Sequence, residues 1–488
     1  MKTQPESEVA MMPLPSTPGP GSSAKHAWLT LDRVDPPKRD AAHRVCDFQR
    51  VDLPYDEATA AQQASRCVQC PHPSCVSTCP LETPIPELLR LAADGQIHDA
   101  VQLLFESLNV PEIAAHICVG GRACERACLL DGKTDPVPIR AITRFLVDYG
   151  WQHGLAEPPL APTSNRSVAI IGSGVSALVA ADALSRRGHA VTVFDSRQVP
   201  GGRMMNGLPG FRVDKTLVER RIELLKRRGI RFQMGVTFGT HVRLTDLRAN
   251  FDAVYVGFGL AAPVPLTVPG AHSAGVHSAC DFILGASAPP STGLKPVDVQ
   301  GKQVIVLGGG DTAMDALRIA IRQGAAGALC LYRRGSADMP ADTEEYDNAV
   351  EEGARFLFHT LPVAIVPDSS GSVKAVRCVR TEPGDPDATG RPCAIPLRGE
   401  EFDVPADVVL VAYGFAAAEL PPTDDFARLA TDEHGHVQVD GEHRTNLPGV
   451  FAGGSIVRGA ATLSVLVCDA RDAAAAIDRY LSRQSDAA

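Results

Sequence analysis

Apolar positions along the chain recur with two different periods. Between residues 57 and 155 they fall at helical spacing, as in PELLRLAADGQIHDAVQLLFES, and no strand-like run interrupts them. That pattern predicts an all-helical unit. The Pro-rich stretch EPPLAPTSN, 157–165, marks a boundary. From residue 166 short β-branched runs alternate with helical stretches, which is the pattern of βαβ units and parallel sheets. SVAII (167–171) is followed by a helix and AVTVF (190–194). QVIVL (303–307) is followed by a helix and ALCLY (328–332). Two nucleotide folds therefore start in succession. The remaining stretch, DVVLVAYG, VFAGG and a last helix, is too short to stand alone and is assigned back to the first fold. The expected division is a disordered tail (1–25), a helical domain (26–160), a first fold in two parts (161–290 and 406–488) and a second fold inserted between them (291–405).

Length and charge narrow the class. A chain of 488 residues allows about three domains. Lys and Arg number 47 against 57 Asp and Glu, a net charge of −10, which argues against a nucleic-acid or anionic-membrane surface. A hydrophobic fraction of 44% is enough for a large core. No uninterrupted apolar run approaches the roughly 18 residues of a membrane span. The N-terminus, MKTQPESEVAMMPLPSTPGPGSSAKH, lacks the apolar segment of a secretory signal. A cytoplasmic protein without a membrane span is expected.

Cysteine changes the picture. Of 13 cysteines, seven fall in one region: Cys67-x2-Cys70-x4-Cys75-x3-Cys79-Pro80, then Cys118-x5-Cys124-x3-Cys128. An odd total without an export signal argues against a disulfide framework. Short thiolate spacings of this kind wrap iron–sulfur clusters. In two-cluster ferredoxins the cysteine before proline ligates the other cluster. By that logic Cys67, Cys70, Cys75 and one distant thiolate hold one cluster, and Cys79 with two of the later three serves a second. Seven thiolates are one short of eight. Zinc, held by four cysteines or by three cysteines and a histidine such as His72 or His116, is the competing reading.

Two glycine loops follow. Gly172-Ser173-Gly174-Val175-Ser176-Ala177 lies between a strand and a helix and fits the dinucleotide fingerprint, with Gly172, Gly174 and Ala177 in its fixed positions. Asp195 ends the next strand, where an acid can hold ribose hydroxyls. Gly308-Gly309-Gly310-Asp311-Thr312-Ala313 repeats the arrangement, but its second strand ends in Tyr332-Arg333-Arg334. Arginine there accommodates a 2′-phosphate and selects NADPH. Acid in one loop and arginine in the other suit a protein that holds FAD and takes hydride from NADPH. The expected fold class is α/β: an N-terminal all-helical iron–sulfur domain, then two Rossmann-like nucleotide-binding domains, the second inserted in the first.

From about Glu57 to Arg479 the chain resembles the small (β) subunit of NADPH-dependent glutamate synthase and its relatives. These include the N-terminal half of dihydropyrimidine dehydrogenase and the large subunit of the bifurcating NADH-dependent ferredoxin:NADP oxidoreductase. The stretches that carry the likeness are SRCVQCPHPSCVSTCP, GGRMMNGLPGFRVDK, FDAVYVGFG, VIVLGGGDTAMDALR, LYRRGSADMP and VFAGGSIVRGA. The resemblance implies FAD, NADPH and two [4Fe-4S] clusters. It implies one cluster on Cys67, Cys70, Cys75 and Cys128. The other would take Cys79, Cys118, Cys124 and a Glu or Gln, where this chain has Thr143. On the FAD side Gly172, Gly174, Asp195, Gly201, Gly202 and Gly454 match, whereas Ser455 replaces an Asp and Ala470 a Gly. On the NADPH side Gly308, Gly310, Asp311, Thr312, Arg333 and Arg334 all match. The implied role is an electron-input subunit in which NADPH reduces flavin and clusters carry electrons to a large catalytic partner. That step calls for no protein acid, base or nucleophile. The implied partner is the glutamate synthase large (alpha-like) subunit. A ferredoxin, dihydropyrimidine or similar acceptor complex is the alternative, as is a structural or nucleotide-sensing subunit with impaired flavin chemistry.

Overall fold

The computed structural model describes residues 24–118, 123–155, 157–260, 262–287, 296–387 and 390–485. Most of the expected tail, 1–23, and the expected boundary at 290/291 lie outside them.

The first unit is helical, as its periodicity predicts. Helix α1 (Ala41–Arg44) is capped by Asp40, and α2 (Glu57–Ala64) by Asp56, whose carboxylate accepts from Thr59 N at 2.7 Å. One turn, α3 (Ser74–Ser77), sits inside the first cysteine run. Helices α4 (Ile85–Ala93) and α5 (Ile97–Ser107) bury Leu88, Leu89, Ala92 and Ala100, Val101, Leu104 on their apolar stripes. Helix α6 (Pro111–Ile117) leads to the second cysteine run, and α7 (Ile139–Gln152) closes the unit. Helices α5 and α7 approach closely at Gly150, where a Cβ would stand 2.6 Å from the Val101 side chain.

The first α/β fold runs β1 (Ser167–Ile171), α8 (Val175–Arg186), β2 (Ala190–Asp195), α9 (Gly202–Asn206), α10 (Lys215–Arg227), β3 (Arg231–Met234), α11 (Leu244–Asn250), β4 (Ala253–Val256). The chain leaves it through β5 (Ala262–Pro263). The second fold contains β6 (Val276–Ser278), α12 (Ala279–Ser287), β7 (Gln303–Leu307), α13 (Asp311–Arg322), β8 (Gly327–Leu331), α14 (Thr343–Glu351) and β9 (Arg355–Leu357). It continues through β10 (Thr360–Pro367), β11 (Val373–Pro386), β12 (Pro392–Pro405) and β13 (Val408–Val411). The chain returns through β14 (Phe415–Ala416) and ends with β15 (Val450–Ala452), α15 (Ser455–Arg458) and α16 (Leu463–Ser485).

Two parallel five-stranded sheets result, ordered β15-β4-β1-β2-β3 and β6-β13-β7-β8-β9. Strand β15 completes the first sheet from beyond the second, so the second fold is inserted in the first. One expectation fails here. The run containing VVLV, assigned by sequence to the first fold, is β13 of the second sheet, with Val408 opposite Val304 and Val411 opposite Leu307. All four residues of β13 are buried, and a short wholly apolar run suits the interior of either parallel sheet. Strands β10, β11 and β12 form a separate antiparallel ribbon. The two crossings between folds, β5 and β14, pair with each other, Phe415 with Pro263 and Ala416 with Ala262.

Buried ion pairs join the units. Arg221 of α10 makes a bidentate pair with Glu112 of α6, at 2.6 and 2.8 Å, both side chains fully buried. Helix α14 and the residue after it receive cations from three places. Arg44 reaches Glu352 at 2.8 Å, Arg212 of the first fold reaches Glu345 at 3.1 Å, and Arg140 of α7 pairs with Glu344. Arg318 and Arg322 of α13 also pair with Glu352.

Candidate functional site

The first glycine loop bends at Gly172, whose φ is +99°. A Cβ there would lie 2.7 Å from Phe258 Cα, so only glycine fits. Gly202 packs backbone to backbone on the loop, since its Cβ would stand 2.6 Å from Gly174 Cα, and the preceding Gly201 donates to Ser173 O at 3.1 Å. Gly174 begins α8 with open space beside it, leaving the helix N-terminus approachable by an anion. Ala177 is fully buried against the sheet. Asp195 does more for the loop than its position in the sequence suggests. One carboxylate oxygen accepts from Ser173 N and Ser173 Oγ, each at 2.7 Å, and the other from Arg197 N at 2.8 Å. A carboxylate has about four lone-pair sites, so an acceptor site remains for a hydroxyl.

Gly454 and Ser455 stand at the start of α15 beside the same loop; a Cβ on Gly454 would meet Ser176 Oγ at 2.5 Å. Ser455 brings no carboxylate, but Asp469 of α16 does. Its Oδ2 accepts from Gly454 N at 2.6 Å and its Oδ1 from Arg458 Nε. Asp469 is buried, next to Ala470, which is fully buried. Sequence reasoning missed Asp469 because its contact with Gly454 forms only in the fold.

The second loop repeats the geometry. Gly308 has φ +130°, and its Cβ would lie 2.4 Å from Ala412 O. Gly310 caps α13, with Asp311 and Thr312 in the first turn. Asp311 accepts from Asp342 N at 2.8 Å and faces Arg212 at 3.6 Å. Arg212 is a second residue that sequence reasoning missed. It also pairs with Asp315 at 3.2 Å, tying the two folds together. The two arginines after β8 part company: Arg333 is exposed, whereas Arg334 is buried and paired with Asp387.

The seven thiols fall into two neighbouring groups. Burial pushes the Cys67 thiol up to about 11, and the nearby Cys128 and Cys70 add to the shift. Cys75 also rises to about 11, through burial and then Cys67, Cys128 and Cys70. Cys118 rises to about 11 through burial and then Cys79. Cys124 rises further, through burial and Glu125, with Cys118 and Cys79 next and Cys75 last. Cys67, Cys70, Cys75 and Cys128 thus lie within electrostatic reach of one another, as do Cys79, Cys118 and Cys124. Among the described residues no three His, Cys, Asp or Glu side chains gather closely enough for a single metal ion. An all-thiol donor set in groups of four and three fits iron–sulfur chemistry, which requires these protons to leave on cluster binding. Thr143 donates its hydroxyl to Ile139 O at 2.8 Å, one helical turn back. Glu125, also missed in the sequence, is buried and held by Arg33 Nη1 at 2.8 Å and Arg140 N at 2.9 Å.

Residues 44–155 match the family described as dihydropyrimidine dehydrogenase domain II, 4Fe-4S cluster, and residues 166–470 match pyridine nucleotide-disulphide oxidoreductase. The glutamate synthase [NADPH] small chain of Escherichia coli (strain K12) is 36% identical over 470 residues, covering 93% of this chain and 98% of that one. Its counterpart from Azospirillum brasilense is 37% identical over 467 residues, covering 93% and 95%. The putative oxidoreductase AegA of E. coli is 36% identical over 479 residues, which cover 95% of this chain and 72% of AegA. Among solved structures, Mycobacterium tuberculosis FprA in complex with NADPH shares the fold with a TM-score of 0.57 at 21% identity, covering 67% of this chain and 86% of that one. Among the described residues no helix is long and apolar enough to cross a membrane. With two glycine loops, a helical thiol-bearing unit and relatives of this similarity along nearly its whole length, the chain belongs to the family of the small chain of NADPH-dependent glutamate synthase and is an NADPH-dependent oxidoreductase.

Proposed function

We propose that the chain takes electrons from NADPH and delivers them, one at a time, to an acceptor site on a larger catalytic partner of the glutamate synthase type. The seven cysteines of the helical unit, in a stretch matched by a 4Fe-4S family and on the same chain as two nucleotide loops, carry this reading. Flavin, when bound, supplies the conversion between two-electron and one-electron chemistry. Gly172, Gly174, Gly201 and Gly202 let that cofactor approach backbone, Asp195 offers an acceptor to its ribose, and Gly454, Ser455 and Asp469 form the opposite corner. Gly308, Gly310, Asp311 and Thr312 present the second helix N-terminus to NADPH, and Arg333 meets the 2′-phosphate. Cys67, Cys70, Cys75 and Cys128 hold one [4Fe-4S] cluster, and Cys79, Cys118 and Cys124 hold a second. The chain's own residues position and shield the reacting centres; none is needed as an acid, base or nucleophile.

The likeness to AegA, a putative oxidoreductase of which the aligned residues cover 72%, favours a second reading in which the same input module is joined to a different acceptor. Anaerobic purification tests the core reading. Flavin bands and a broad iron–sulfur shoulder that bleach with NADPH are expected. A colourless protein, or one carrying zinc in place of iron, would overturn it. Pull-down of the native large subunit tells the two readings apart.

A further inference from the structure

Arg334 meets solvent quite differently from Arg333. Its side chain is only 5% exposed. Its Nη2 bonds Asp387 Oδ2 at 2.5 Å, and its Nε donates to Pro392 O at 2.6 Å. Both partners belong to the far end of the β11–β12 ribbon, 53 and 58 residues along the chain. Hydrogen bonds join the described residues on either side of that end. Asp387 N donates to Arg391 O at 2.8 Å, Gly390 N donates to Asp387 O at 2.8 Å, and Asp387 Oδ1 accepts from Arg391 N at 3.3 Å. The ribbon is also fixed where it passes the end of β8. Thr381 Oγ1 donates to Arg333 O at 2.7 Å, and Thr381 N to His359 O at 2.9 Å. Asp387 and Pro392 therefore engage one of the two arginines that follow β8, while the other stays exposed.

We propose that Asp387 masks Arg334, so that recognition of the 2′-phosphate rests on Arg333, and that Asp387 thereby sets how strongly this chain prefers NADPH to NADH. This rests on reading the second glycine loop as the NADPH site. A phosphate dianion reaches Arg334 only by displacing the half-buried Asp387 carboxylate from a buried guanidinium. Even then it would lie beside the Asp387 carboxylate, a like charge. Removing that carboxylate frees the Nη2 end of the guanidinium for phosphate while its Nε stays on Pro392 O. Asp387 is a specificity-determining residue acting through Arg334.

The probes are 2′,5′-ADP, which carries the 2′-phosphate, and 5′-AMP, which does not, titrated calorimetrically into the FAD-loaded full chain. Asp387→Ala should tighten 2′,5′-ADP by about tenfold, one additional charged phosphate contact, and leave 5′-AMP within about twofold. The Arg334→Ala/Asp387→Ala double variant should return 2′,5′-ADP binding to about the wild-type value, because the gain passes through Arg334. Asp387→Asn, which keeps the side-chain shape, should show a smaller gain in the same direction. Unchanged or weaker 2′,5′-ADP binding by Asp387→Ala, in a protein with wild-type circular dichroism, overturns the proposal. Arg333→Ala tests the site itself. It should abolish most of the preference for 2′,5′-ADP over 5′-AMP, and retention of that preference would refute the NADPH-site reading whatever Asp387 does.

Discussion

The hydroxyl of Thr143 is engaged by the carbonyl of Ile139, so it is not aimed outward as a ligand would be. Ser/Thr back-bonding of this kind is a common helical habit. On the proposed two-cluster reading, Thr143→Val should therefore leave iron content unchanged, whereas Cys118→Ala should lower it from about eight to about four per chain. Iron and acid-labile sulfide analysis reads both, and iron loss in Thr143→Val would make the hydroxyl a ligand. A second residue-level expectation concerns Asp469. Its carboxylate holds Gly454 N and Arg458 where the first glycine loop meets α15. Asp469→Asn gives up charged hydrogen bonds worth about 1.5–3 kcal/mol. FAD retention on dilution should weaken about tenfold or more, measured by the fluorescence of released flavin. Undiminished retention would show that Asp469 merely packs the corner.

Helix α14 and the residue after it are where the domains meet. Burial alone would raise the Glu352 carboxyl, but hydrogen bonds from Arg322 and Arg318 outweigh it and hold the group down at about 2, from an ordinary 4.5. A carboxylate depressed in the folded state stabilises above its unfolded pKa, and that stability is lost as pH falls through the folded one. The contribution, on the order of 3 kcal/mol, should disappear between about pH 4.5 and pH 2. Hydrogen-exchange protection of α1, α13 and α14, taken relative to intrinsic exchange at each pH, should fall over that window in the wild type. In Glu352→Gln it should already be lowered at neutral pH; equal protection in both proteins would remove Glu352 from the clamp. Such contacts explain which elements could be read in advance. Glycine loops and cysteine runs are legible because their chemistry occupies consecutive positions. Strand β13 was placed in the wrong sheet because VVLV carries no mark of which neighbour it joins. The masking of Arg334 was invisible because Asp387 lies on a ribbon whose register no local pattern encodes. Glu125, Arg212 and Asp469 were missed for the same reason: each owes its role to a partner distant in sequence.

Across the whole molecule, Arg212 links the two folds through Asp315 and Glu345 and faces Asp311 of the second glycine loop. Hydride transfer needs reacting atoms within about 3–3.5 Å, and a misplacement of about 1 Å can cost about a hundredfold in rate. Arg212→Ala should therefore slow flavin reduction at saturating NADPH by about tenfold or more while changing 2′,5′-ADP affinity by less than about twofold. Stopped-flow reduction and calorimetry separate the two effects; a loss confined to affinity would show that Arg212 serves the nucleotide and not the alignment of domains. The paired crossings β5 and β14 carry a different consequence. A segment whose entrance and exit are hydrogen-bonded to each other is a cassette. Excising it between those strands and rejoining the ends with a short linker leaves the host sheet with every strand, β15 included, and the insert with all five of its own. On the reading that the second glycine loop takes NADPH, the choice of pyridine nucleotide travels on one block, which can be exchanged between chains of this design when the new block brings the acids that Arg44, Arg140 and Arg212 contact.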